Sequence, residues 1–181
     1  RDGLEIGEAS PRPLQDLVAY DQEIRYTDDQ LRAFFDFLRE RRLLENTIVV
    51  VTSDHGEEFF EHGHWGHGRT LFEEVTHVPL ILWGPGRVPQ GERRAETFGH
   101  IDLMPTILSL ADVRTPAQAA GRNILVKETT PRENDYRFTE SRVEVAIIKD
   151  YEKIPVLPPC FMVQQGTRKL SRYREMDGFR Y

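Results

Sequence analysis

Val49-Val50-Val51-Thr52-Ser53-Asp54-His55-Gly56-Glu57-Glu58-Phe59-Phe60-Glu61-His62-Gly63-His64-Trp65-Gly66-His67-Gly68 is the stretch that decides both fold and chemistry. It begins inside a continuously apolar, β-rich run, Thr47 to Thr52, which reads as a strand covered on both faces, as in a parallel or mixed α/β sheet. That strand delivers Asp54 and His55 into a glycine-rich loop holding four of the chain's six histidines. Ligands in open α/β sheets sit beyond the carboxyl ends of the strands, so the pair stands where a site is expected.

Upstream, Leu17, Ile24, Leu31 and Leu38 recur every seven residues, with Tyr20, Phe34 and Phe35 widening the stripe. This predicts an amphipathic helix of about 25 to 30 residues starting near Leu14, with a break near Thr27-Asp28. The pattern is too brief to favour a coiled coil. Residues 1–13, with Gly3, Gly7, Pro11 and Pro13, read as loop. Downstream, Val78 to Trp83 is a second strand, closed by the turn Gly84-Pro85-Gly86. A short helix follows from about Ile101 to Leu110, then an irregular stretch over 111–134. Tyr136–Glu140, Val143–Lys149, Phe161–Gln164 and Arg168–Tyr173 are short strands of a small antiparallel unit, parted by turns such as Gln165-Gly166.

An adjacent Asp and His can both reach one cation where the chain turns at Gly56. Carboxylate oxygen suits Mg²⁺, Mn²⁺ or Ca²⁺, and imidazole nitrogen tilts the choice toward Mn²⁺ or Zn²⁺. His62, His64 and His67 follow, each beside a glycine that lets the backbone approach a ligand. Five histidines between His55 and His77 favour a catalytic or metal-binding loop over a purely structural one. Within it, His64 and His77 read equally well as loop hydrogen-bonders, and Trp65 as a packing anchor. Glu57, Glu58 and Glu61 are more commonly solvent-facing than ligating. Ser53 reads as a strand-end hydroxyl, Asp102 as a structural acid at a helix start, and Cys160 as an ordinary strand cysteine. A His-Glu-x-x-His helix, a Gly-x-Ser-x-Gly elbow and a phosphate-binding glycine loop are absent from the sequence.

Bulk properties narrow the class. At 181 residues, with 39% hydrophobic and 30% charged residues, the composition is that of a globular domain. A formal net charge of -6 gives no general attraction to nucleic acid or anionic lipid. No run approaches the ~20 apolar residues of a membrane span. One cysteine cannot form an internal disulfide, which leaves the compartment open.

The segment Asn46 to Glu57, followed by Glu61-His62-Gly63, Trp65-Gly66-His67-Gly68, Glu73-Glu74 and Val78-Pro79-Leu80-Ile81, resembles the second half of the sulfatase family, within the alkaline-phosphatase-like superfamily. Tyr20, Asp28 and Leu38 fit the preceding helix of that family, and Asp102 to Leu108 fits the helix after the second strand. Arg168-Lys169-Leu170 is similar to its C-terminal strand. The resemblance implies an α/β fold: a partial three-layer α/β/α mixed sheet in residues 1–125, as the C-terminal part of the catalytic domain, and a small antiparallel β subdomain in 126–181. It implies that Asp54 and His55 are two ligands of a divalent ion, Ca²⁺, Mg²⁺ or Mn²⁺ ahead of Zn²⁺. His67 stands where many relatives carry the lysine that contacts the sulfate or phosphate oxygens, and His62 is a further pocket residue. A histidine there can supply a hydrogen bond or protonate a leaving oxygen.

The family's nucleophile lies in a Cys/Ser-x-Pro-x-Arg motif, converted to formylglycine in true sulfatases, and this chain has no such motif. The resemblance therefore implies the C-terminal portion of a longer hydrolase acting on a small anionic sulfuric ester. The isolated piece is expected to be inactive, with a sheet edge open to self-association or to pairing with the N-terminal portion. Two other functions fit the residues. One is a phosphoryl-transfer member of the same superfamily: a phosphodiesterase, phosphonate monoester hydrolase or phosphoethanolamine transferase. The other is a non-catalytic interaction domain, in which Asp54 and His55 would face no cavity and bind no ion.

Overall fold

A computed structural model describes residues 12–68, 70–126, 136–141, 160–165, 168–175 and 178–180. The chain divides into two compact units, 1–47 and 48–181. In the first, helix α1 (Arg12–Glu40) runs unbroken for 29 residues. The expected interruption at Thr27-Asp28 does not occur; the exposed Asp28 is met within the helix by Arg32 one turn later, at 3.2 Å. The helix closes as the Leu43 amide bonds back to the Leu38 carbonyl, with Arg42 at φ 56 making the turn.

In the second unit, strand β1 (Val49–Thr52) pairs antiparallel with β4 (Leu80–Trp83), Val51 facing Ile81 and Val49 facing Trp83. The apolar run before Asp54 thus forms a strand as expected, and its described neighbour is antiparallel. Between them lie a two-residue hairpin, β2 (Glu58–Phe59) with β3 (Trp65–Gly66), and a single helical turn, α2 (Glu73–Thr76). After β4 the Gly84-Pro85-Gly86 turn closes, and a 3-10 turn over 100–102 leads into α3 (Leu103–Leu110). Strands β5 (Tyr136–Ser141), β6 (Cys160–Gln165), β7 (Arg168–Glu175) and β8 (Gly178–Arg180) form an antiparallel sheet in sequence order. The α/β class with a small C-terminal antiparallel sheet is therefore the observed one. The candidate strand Val143–Lys149 lies outside the described residues. No described helix is long and apolar enough to cross a membrane.

Two features hold the second unit together. Asp102 is buried and joins three segments: its carboxylate accepts from the Gly99 amide (3.0 Å), the Arg122 amide (3.0 Å) and Arg137 Nη1 on β5 (2.8 Å). Its carbonyl accepts from the Thr106 hydroxyl, which in turn receives the Ile124 amide. The structural role expected for Asp102 is thus what the geometry gives it. The second feature is the apolar contact of Leu71 with Cys160 and Met162, which seats the inner face of β6 on the segment before α2.

Burial pushes the Cys160 thiol above its ordinary value. A thiol held neutral in this way leaves the folded state's full stability in place below the unfolded thiol's pKa, and stability falls as pH rises from there toward the folded value, because the unfolded chain ionises first. Cys160 is expected to react with a thiol reagent at pH 8 at least about 10²-fold more slowly than in denaturant, since attack waits for opening. Comparable rates in both states would show that this core is not closed.

Candidate functional site

The site begins where β1 ends. The Ser53 hydroxyl donates to the His55 carbonyl at 2.6 Å, tightening the turn that carries Asp54 outward. The Gly56 amide then donates to the Val75 carbonyl at 2.8 Å, pinning the loop against α2. A Cβ at position 56 would lie 2.0 Å from the Glu74 carbonyl oxygen, so only glycine permits this approach.

His55 Nδ1 lies 2.9 Å from the Gly56 carbonyl, which accepts only, so Nδ1 carries the proton and Nε2 keeps its lone pair. The His55 amide donates to Asp54 Oδ1 at 3.1 Å, while Oδ2 stands 3.7 Å from His55 Nε2. Bonds to its own amide, then the neighbouring His55 and its amide, hold the Asp54 carboxyl below the ordinary carboxylate range. An ionised oxygen and an imidazole lone pair thus stand side by side on an open surface. Cation–ligand bonds of about 2.0 to 2.6 Å can span such a separation, so the donor pair fits part of a divalent-ion shell. Among the described residues no group of three or more His, Cys, Asp or Glu completes it.

His67 arrives from the hairpin. Trp65 anchors that hairpin against Phe59 edge-on at 5.1 Å and Phe60 at 5.3 Å, the packing role expected of it. Gly66 and Gly68, at φ +85 and +84, flank His67 and turn it back over the strand end. Its ring stacks on His55 at 3.9 Å and 29°, and its Nδ1 lies 3.0 Å from Glu57 Oε2. The structure therefore brings Asp54, His55 and His67 together.

His62 takes different partners: Glu74 Oε2 at 3.2 Å and the face of Phe72 at 3.8 Å. His64 offers its carbonyl to the Phe60 amide, and the exposed His77 lies 3.7 Å from Glu73. Glu61 stays exposed, as expected of a solvent-facing carboxylate, whereas Glu57 is partly covered and Glu58 is buried, because the hairpin gives these two a local partner. Glu57 holds His67, Glu61 accepts from the Phe59 amide at 2.5 Å, and Glu58 is buried with the Thr70 hydroxyl on Oε2 at 2.6 Å.

Three side chains support the site without a role assigned to them from the sequence: His100, Lys169 and Ser141. His100, the sixth histidine, donates from Nε2 to the Ser53 carbonyl at 2.8 Å and so braces the residue before Asp54. Its position two residues ahead of Asp102 was the available signal. Lys169 on β7 reaches Glu73 Oε1 at 2.5 Å and the Thr76 hydroxyl at 3.3 Å, while Ser141 on β5 donates to the Gly68 carbonyl at 3.0 Å. The C-terminal sheet thereby buttresses the loop. An open depression is lined by Asp54, His55, His67, His77, His100 and Lys169, among others.

Two family models match this chain, one described as Sulfatase over residues 4–113 and one as N-sulphoglucosamine sulphohydrolase, C-terminal, over residues 60–175. Each spans more than half of it, and the chain belongs to the sulfatase family. An uncharacterized sulfatase of Escherichia coli (strain K12) is 37% identical over 145 residues, covering 76% of this chain and 28% of that protein. The chain thus spans less than a third of this relative's length. A structure solved with its substrate D-glucosamine-2-N,6-O-disulfate matches with TM-score 0.67 at 24% identity, covering 86% of this chain and 31% of that one. A phosphonate monoester hydrolase from Silicibacter pomeroyi matches with TM-score 0.60, also at 24% identity, covering 83% and 33%. At that identity both likenesses speak for the fold alone.

Proposed function

We propose that this chain forms the cation-holding, C-terminal side of a metal-dependent hydrolase of sulfuric esters, with the β1–β4 region belonging to its catalytic domain. The observation that carries the reading is the convergence of Asp54 Oδ2, His55 Nε2 and the His67 ring at one strand end. Asp54 and His55 would hold the divalent ion, Ca²⁺, Mg²⁺ or Mn²⁺ ahead of Zn²⁺. When bound, that ion supplies Lewis-acid polarisation of an ester oxygen. His67 binds a non-bridging oxygen or hands a proton to the leaving oxygen, and His62, on the α2 side, shapes the neighbouring wall through Phe72. The nucleophile, a formylglycine by family resemblance, is supplied from outside this sequence, which contains no Cys/Ser-x-Pro-x-Arg. The sulfatase relative favours sulfate over phosphorus, whereas the donor pair serves either anion.

Two measurements test this. The purified 181-residue chain, given Ca²⁺, Mg²⁺, Mn²⁺ or Zn²⁺ in turn, is expected to hydrolyse neither an aryl sulfate nor a bis-aryl phosphate. Turnover abolished by Asp54→Ala would overturn the division of labour and require a metal-activated water as nucleophile. An enzyme joining this sequence to a nucleophile-bearing portion is expected to prefer the aryl sulfate. A preference for the phosphate diester would move the assignment to the phosphoryl-transfer branch, and binding of no ion would leave an interaction domain.

A further inference from the structure

The hairpin sets the carboxylate of Glu57 in close contact with the ring of His67. Glu57 is largely covered, one of its oxygens lying 3.0 Å from His67 Nδ1. Its other oxygen rests over Gly66, 3.4 Å from where a side chain would begin. The opposite constraint on the ring is the stack with His55 at 3.9 Å. A carboxylate only accepts, so the nitrogen facing it must carry a proton.

We infer that Glu57 is a positioning residue, fixing His67 as the Nδ1–H tautomer and reserving Nε2 for the sulfuric ester. This rests on the role proposed for His67. A histidine replacing a lysine at an anion site has two nitrogens that can each face the substrate, and a freely rotating ring would present the wrong one part of the time. Glu57 removes that ambiguity.

The test has two arms. In ¹⁵N-labelled 181-residue chain at alkaline pH, long-range ¹H–¹⁵N correlation reads the tautomer directly. His67 is expected as Nδ1–H in the wild type and in Glu57→Gln, whose amide oxygen still accepts, and as Nε2–H in Glu57→Ala. Nε2–H in the wild type, or an unchanged tautomer in Glu57→Ala, overturns the inference. In the enzyme joined to its nucleophile-bearing portion, Glu57→Ala is expected to lower kcat about 10- to 100-fold, with a smaller change in KM, and Glu57→Gln to recover most of it. Equal losses in the two variants also overturn it. Absence of sulfate hydrolysis in the wild type would instead strike the proposed function, leaving the tautomer result standing.

Discussion

Replacing Asp102 by alanine is expected to remove about 3 to 5 kcal/mol of stability, the usual cost of breaking a buried ion pair from one side. The Asp102 side chain is 4% exposed and that of Arg137 15%, so the guanidinium left behind has little access to water. Two backbone amides, those of Gly99 and Arg122, lose their acceptor in the same step. The 3-10 turn over 100–102 would loosen and take with it the His100 bond to Ser53. Denaturant titration of the 181-residue chain measures this through the midpoint at constant slope. A loss under about 1 kcal/mol, the level of an exposed pair, would mean that water already reaches the junction. The double variant Asp102→Leu with Arg137→Met is expected to recover part of the loss, because apolar side chains of similar volume can replace such pairs.

His67→Ala is expected to lower turnover of the complete enzyme by about 10² or more, the scale of a positioned proton donor. His64→Ala, next to Trp65 and engaged through its carbonyl, is expected to cost far less, since alanine keeps that carbonyl. The contrast separates chemistry from loop integrity, because both residues flank the same hairpin. Equal losses would remove His67 from the reaction and leave it a strut for His55. Steady-state kinetics on an aryl sulfate, with binding of the divalent ion measured in parallel, distinguishes the two.

Much of the frame was legible because its signals are local. The seven-residue spacing from Leu17 to Leu38 marked α1, and the β-branched run marked β1. Asp54 and His55 were legible as a pair because adjacency at a strand end leaves few places for them to go. The hairpin was not: two-residue strands have no periodicity, and only the tertiary fit of Trp65 to Phe59 and Phe60 defines them. Burial of Glu58 depends on a hydroxyl twelve residues later, and the approach of His100 to Ser53 spans 47 residues. Nothing in a single sequence orders such encounters. The break expected in α1 failed for the opposite reason, since a helix-weak Thr-Asp pair costs only tenths of a kcal/mol and neighbouring turns outvote it.

The buttress from the C-terminal sheet also sets a timetable for synthesis. Gly68 waits for Ser141, 73 residues later, and Thr76 waits for Lys169, 93 residues later. At about 5 to 20 residues per second, the histidine loop spends on the order of 5 to 20 s outside the ribosome before its last supports exist. During that interval Leu71 has neither Cys160 nor Met162 to cover it, and a cation captured early would meet a loop not yet in its final form. A cation bound as proposed would therefore be best taken up late, after the strand carrying Lys169 has been made.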